Sequence, residues 1–174
     1  SPLRFSASNI TQAVYALGGL ITFAVSYAYF RHLGKPAYLV TAIIIVATAD
    51  IGFAIADVVT YFTGTEYLLS FVRTANYALL TAAEKGGLKR ISGTFAEASA
   101  FSEYTLVLFA IITSLWLDRV RSWATGILTA LLLLSLLLST SATALVGLAI
   151  VIPFLWIRSW ISSASPFTSG RPVF

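Results

Sequence analysis

The chain has 174 residues, of which 58% are hydrophobic and only 10% charged. A soluble domain carries about 25% charged residues, so a deficit of this size beside long apolar runs excludes an ordinary soluble fold and points to a polytopic membrane protein. The formal net charge of +4 is modest and sits mostly in loops, which speaks against nucleic acid as a partner; with no Cys, disulfides and thiolate metal sites are excluded.

The chain contains no Met, and it is read as a segment of a longer polytopic protein forming one membrane domain over residues 1–174. After a polar lead-in, Asn9-Ile-Thr-Gln12 has the pattern of a helix start, with Asn9 as cap and Gln12 three residues on. The first span is expected over 11–30, about 30 Å at 1.5 Å per residue, with Gly18 and Gly19 permitting close helix packing. Tyr27, Tyr29 and Phe30 mark an interfacial belt at its end, and Arg31 to Pro36 makes a short basic turn. The second span, 37–59, carries Asp50 and Asp57 in its second half. Seven residues at 100° each return to within about 20° of the same face, so both carboxylates point one way and form a candidate intramembrane polar pair. An ionised carboxylate at the bilayer centre costs up to about 2.5–3.5 kcal/mol, so that face is expected to meet protein or water.

Residues 60–100 form the long connection. Within it, 65–83 shows helical amphipathic spacing at Leu68, Phe71, Val72, Ala75 and Leu79, and Gly86-Gly87 is a stop signal. The stretch Glu84 to Glu103 is the most polar of the chain. Three further spans follow, over 101–117, 123–138 and 144–160, joined by a basic turn at Asp118 to Ser122 and by the Ser139-Thr-Ser-Ala-Thr143 cluster, with Pro153 as a kink site. The fold class is thus all-α: a transmembrane helix bundle of about five spans with a helical extracytoplasmic loop. The short turns at Arg31/Lys35 and Arg119/Arg121 are dense in basic residues and are read as cytoplasmic, which puts loop 60–100 and the Ser-Thr turn on the other face and leaves His32 on the wrong side for chemistry at the loop.

Arg90-Ile-Ser-Gly93-Thr-Phe95-Ala-Glu97, then a span, a basic turn, a second span and Ser139-Thr-Ser141, resembles the O-antigen ligase and polysaccharide polymerase family, which often carries Arg-x-x-Gly-x-Phe before a transmembrane helix and Ser-x-Ser one hairpin later. Where many members have Asn-Pro or Glu-Pro this chain has Glu97-Ala98, and where many have Arg after Ser-x-Ser it has Ala142. The resemblance implies a multi-pass protein of the bacterial inner (cytoplasmic) membrane. It also implies transfer of a glycan from a polyprenyl-diphosphate donor to an acceptor sugar hydroxyl, without cofactor or metal, in contact with the lipid bilayer and with other polysaccharide-assembly proteins.

Under that resemblance Arg90 binds the diphosphate, for which a guanidinium is suited by its bidentate fork. On physical grounds Glu97 is the first candidate for the base, with Glu103 and Asp57 behind it, and Lys89 and Arg73 are further phosphate-binding candidates. Gly93 is expected to allow close backbone approach to the substrate, and Ser139 and Ser141 to bind sugar or phosphate. Two other readings stand beside this one. The first is a transporter or flippase that uses Asp50 and Asp57 as a coupling pair. The second is a non-catalytic scaffold of polysaccharide assembly. The bland reading of Lys85, Lys89 and Arg90 is anchoring to lipid phosphates, and that of Glu97 and Glu103 is the favourable interaction of a carboxylate with a helix N-terminus.

Overall fold

The computed structural model describes residues 7–32, 34–73, 84–85 and 87–164. The chain is all-helical apart from one two-residue antiparallel pairing. It runs α1 (Ala7–His32), α2 (Pro36–Thr63), a 3-10 turn (Glu66–Leu69), β1 (Glu84–Lys85), β2 (Leu88–Lys89), α3 (Ala98–Leu117), α4 (Ser122–Leu138) and α5 (Ala142–Ala164). It divides into two compact units, residues 1–41 and 42–174. The first is built on α1, a continuous helix whose described side chains are exposed along its length. Arg31 and His32 fall in its last turn, where positive charge complements the helix dipole.

The second unit holds everything else from Ala42 onward. Helix α3 is its centre and packs against both α4 and α5. The core joins Ala47 and Ile51 of α2, Leu108, Phe109 and Ile112 of α3, Leu128, Leu132 and Leu136 of α4, and Ala144 and Leu148 of α5. Two glycines set the close approaches. A Cβ on Gly147 would lie 2.1 Å from Leu106 Cδ2, and one on Gly126 would lie 2.9 Å from Trp116 Nε1, so each gap is filled by the neighbouring helix.

Among the described residues three helical stretches, Pro36–Thr63, Ala98–Leu117 and Ala142–Ile161, are long and apolar enough to cross a bilayer; α4 and the Ala16–Tyr29 part of α1, in the other two of the five expected spans, are apolar but shorter. Their outward faces carry Ile, Leu, Val and Phe side chains open to the surroundings, as lipid contact requires. Trp116, Trp123, Trp156 and Trp160 are all exposed and lie toward one end of this unit, where Arg158 of α5 donates to Asp118 Oδ2 at 2.6 Å. Amphipathic indoles gathered at one level mark a membrane–water interface. This is a membrane protein with transmembrane helices.

The helix ends follow from local chemistry. Pro36 occupies the first position of α2, where its missing N–H costs nothing. Gly64, at φ +69°, ends α2 in a Schellman motif: Thr65 N–H donates to Thr60 O and Gly64 N–H to Tyr61 O. The same pair of bonds closes α3, from Val120 to Leu115 O and from Arg119 to Trp116 O, with Arg119 taking the left-handed position at φ +60°. The helix α4 stops at Leu138 and α5 begins at Ala142, with Thr140 at φ +48° between them, so the Ser-Thr cluster is a true break.

Over the described part of the 65–83 stretch, residues 65–73, the amphipathic spacing predicts helix and the structure has less of it. The helical part is a 3-10 turn over Glu66–Leu69, followed by turns to Arg73; residues 74–83 lie outside the described residues. The Arg73 side chain at the end of these turns is drawn inward to a buried carboxylate. Gly87, at φ +76°, lies in the turn of the β1–β2 hairpin. Pro153 lies inside α5, which continues past it.

Candidate functional site

The site is organised by Asp57, which is wholly buried two turns before the end of α2. Its Oδ1 accepts from the Lys89 ammonium and, at 2.5 Å, from Arg73 Nη2. Its Oδ2 accepts from the backbone N–H groups of Ser92 at 2.8 Å and Gly93 at 3.1 Å, and from Ser92 Oγ at 3.3 Å. Two successive backbone N–H groups converging on one oxygen form an anion-binding nest, and here the anion comes from the protein itself. Arg73 closes the ring, with Nε and Nη2 donating to Gly93 O at 3.1 and 2.6 Å. The Lys89 ammonium also lies 5.2 Å from the centroid of the Tyr61 ring.

These bonds fix the shape of the loop. Ser92 to Phe95 is a tight turn closed by Phe95 N–H donating to Ser92 O at 2.9 Å, with Gly93 at φ +56°. A Cβ at Gly93 would stand 3.1 Å from the Phe101 ring, so glycine is required by both backbone angle and packing. Beneath the turn, Ile91 and Phe101 pack with Ala54 of α2, and Val58 and Phe95 close the edge.

Arg90 leaves the loop next to Lys89 but takes a different direction. Its Nε approaches Ser139 O at 3.4 Å, which ties the loop to the α4–α5 break. Among the described residues that is the one hydrogen bond of its guanidinium, and no carboxylate pairs with it. Ser139 is itself fully buried: its Oγ lies 2.9 Å from Ser102 Oγ of α3 and donates to Leu136 O at 2.6 Å. Ser141 is buried beside it, with its N–H 3.4 Å from Ser139 Oγ. Next to them Thr140 Oγ1 is buried without a hydrogen-bond partner among the described residues.

The residues singled out from sequence therefore divide. Arg90, Ser139 and Ser141 come together across 49 positions of chain from Arg90 to the nearer serine. Lys89 and Arg73 meet Asp57, and their side chains are only 2% and 5% exposed, so neither can meet a ligand without first leaving that carboxylate. Gly93 serves the Asp57 nest and the packing on Phe101. Glu97 is the exposed residue preceding α3 and its side chain makes no capping bond; Glu103 is exposed six residues later.

Among the described residues Asp50 and Asp57 share no hydrogen-bond partner. Asp50 accepts a single hydrogen bond, from Thr105 Oγ1 of α3 at 3.0 Å. His32 belongs to the first unit. Sequence reasoning missed Ser92, Ser102 and Thr105. Ser102 and Thr105 stand three apart on the inward face of α3, a spacing that marks them as polar groups aimed at neighbouring helices. Among the described residues no cluster of three His, Cys, Asp or Glu side chains is placed to hold a metal ion. A comparison of the chain with family models, with curated proteins and with solved structures gave no match.

Proposed function

We propose that this protein transfers a glycan from a polyprenyl-diphosphate donor to an acceptor sugar hydroxyl in the assembly of a cell-surface polysaccharide, as a polymerase or a ligase. The observation that carries the reading is the meeting of Arg90 with Ser139. The Arg-x-x-Gly-x-Phe stretch and the Ser-x-Ser stretch are far apart in sequence, and the Arg90 guanidinium spans between them with most of its N–H groups uncommitted among the described residues. A guanidinium held in place, with no carboxylate to neutralise it, suits a diphosphate whose leaving oxygen gains charge as the glycosidic bond breaks.

The surroundings favour an amphiphilic donor. A groove of about 190 Å³ runs along α2 and α4, lined by Ile51, Ile55, Val58, Leu131 and Leu134. It reaches Ile91 and Leu138, the sequence neighbours of Arg90 and Ser139, so an isoprenoid chain lying in it would bring its head group toward the guanidinium. Glu97, exposed at the start of α3, is the candidate to receive the acceptor hydroxyl's proton. In this reading the loop lies on the extracytoplasmic face of a bacterial inner membrane, where lipid-linked glycans are used. The transporter reading requires Asp50 and Asp57 to work as a coupling pair, and Asp57 is already held by two cations and two backbone amides.

Arg90→Ala and Arg90→Lys, placed in the full-length gene in its own host, test the assignment. Surface polysaccharide is expected to lose its length ladder in both variants, at normal protein level and with lipid-linked units still present. The lysine variant fails because a point charge cannot replace the fork. An unchanged ladder in Arg90→Ala would remove Arg90 from the chemistry.

A further inference from the structure

We propose that the cavity at Asp50 is a binding site for a small organic ammonium ion, separate from Arg90 and independent of glycan transfer. The cavity measures about 320 Å³ and opens between α2 and α3, with Ile45, Asp50, Phe53, Thr94, Phe95 and Tyr104 in its wall. Asp50, 9% exposed, is the one ionisable carboxylate in that wall. One oxygen takes the Thr105 hydroxyl at 3.0 Å. The other is not sealed in, for the buried polar atoms without a partner among the described residues do not include it. No Lys, Arg or His side chain among the described residues lies within ion-pair distance.

A carboxylate in a membrane helix with one neutral hydrogen bond is short of a counter-charge. The wall selects which kind. A metal ion needs several oxygen ligands, and apart from Asp50 this cavity offers the side-chain oxygens of Thr94 and Tyr104. Its other surfaces are aliphatic and aromatic. The rings of Phe95 and Tyr104 stand 5.5 Å apart at 43° and form two walls of a corner, with Phe53 as a further face. Aromatic faces around a carboxylate are the arrangement that holds a diffuse organic cation, through cation–π attraction on its flanks and an ion pair at its base. A cavity of this size suits a compact ligand.

The probe is benzyltrimethylammonium, whose charge is permanent, so that no neutral form dissolves in the lipid. Its radiolabelled binding to the purified full-length protein in lipid nanodiscs is measured against empty nanodiscs, with benzyl alcohol as the uncharged comparison. Binding is expected to saturate. Asp50→Asn keeps an acceptor for Thr105 and is expected to weaken binding at least about tenfold. Phe95→Leu and Tyr104→Leu are expected to weaken it about threefold to tenfold each, as the loss of one cation–π face predicts. Benzyl alcohol should bind alike to the parent and to Asp50→Asn. Absence of saturable binding, equal affinity in Asp50→Asn, or full affinity in both aromatic variants would overturn the proposal. The aromatic variants decide the matter if Asp50→Asn does not fold. Arg90→Ala should bind the probe as the parent does, so loss of glycan transfer and loss of this site are separable.

Discussion

Asp50 and Asp57 stand seven residues apart on one helix and point to nearly the same side, yet the protein treats them in opposite ways. Asp57 is saturated: two cations, two backbone amides and a hydroxyl converge on its oxygens, all from the connection between α2 and α3. Asp50, about 10 Å further down the helix at 1.5 Å per residue, has one threonine hydroxyl and an open cavity. The difference lies in what crosses each carboxylate. Above Asp57 the chain doubles back with its amides turned inward, whereas the hydrogen bond to Asp50 comes from the flank of a regular helix, which keeps its amides for itself. A charge answered by the chain is a cross-link. A charge left open toward a cavity is available to something else.

The largest expected effect breaks the first half of that contrast. Asp57→Ala leaves Lys89 and Arg73 buried without a counter-charge and orphans two amides. Truncating one partner of a buried charge cluster costs about 3–5 kcal/mol. Thermal unfolding in nanodiscs should register it, and amide exchange over 87–97 should rise with it. Asp50→Asn, which keeps its Thr105 bond, is expected to cost less than about 1 kcal/mol by the same measurement. Equal losses in the two variants would erase the distinction between them.

Gly93→Ala sharpens the same contrast at smaller size. The methyl group meets the Phe101 ring at 3.1 Å, and the backbone must hold φ near +56° to keep its N–H on Asp57. A non-glycine residue in that region with a close contact costs about 1–3 kcal/mol. The loss should appear as a lower unfolding temperature, and amide exchange should rise at Ser92 and Gly93 and stay unchanged in α4. Exchange that rises evenly across the molecule would mean that the turn is not locked by Asp57.

How much of this could be read in advance depends on whether the signal is local. The apolar runs and their breaks are local, and they place the helices: Pro36 starts α2, and Ser139 to Ser141 parts α4 from α5. That Asp57 needs a partner is also legible, since a carboxylate in an apolar helix has few ways to survive. Which partner it takes is not. Lys85, Lys89, Arg90 and Arg73 are equal candidates by spacing, and the choice is made by the turn at Gly93, which aims Lys89 inward and sends Arg90 toward Ser139. The amphipathic pattern after Thr65 predicts helix where residues 66–73 make a 3-10 turn and further turns, because periodicity records side chains alone. The inward pull on Arg73, with its bonds to Asp57 and Gly93 O, is a long-range effect that no local window contains.

The smallest expected effect tests the Asp50 side. Thr105→Val removes the one donor that Asp50 has from the protein and keeps the shape of the side chain. If the carboxylate were sealed in packed protein, losing its donor would strand a charged acceptor and cost about 1–3 kcal/mol or more. Asp50 instead borders a 320 Å³ cavity, into which water can reach its oxygens. The expected loss is therefore about 1 kcal/mol or less, read as a small drop in unfolding temperature beside the large one for Asp57→Ala. A loss as great as that of Asp57→Ala would mean that the cavity does not serve the carboxylate. A small one leaves Asp50 as a charge that neither its own helix nor α3 was built to satisfy.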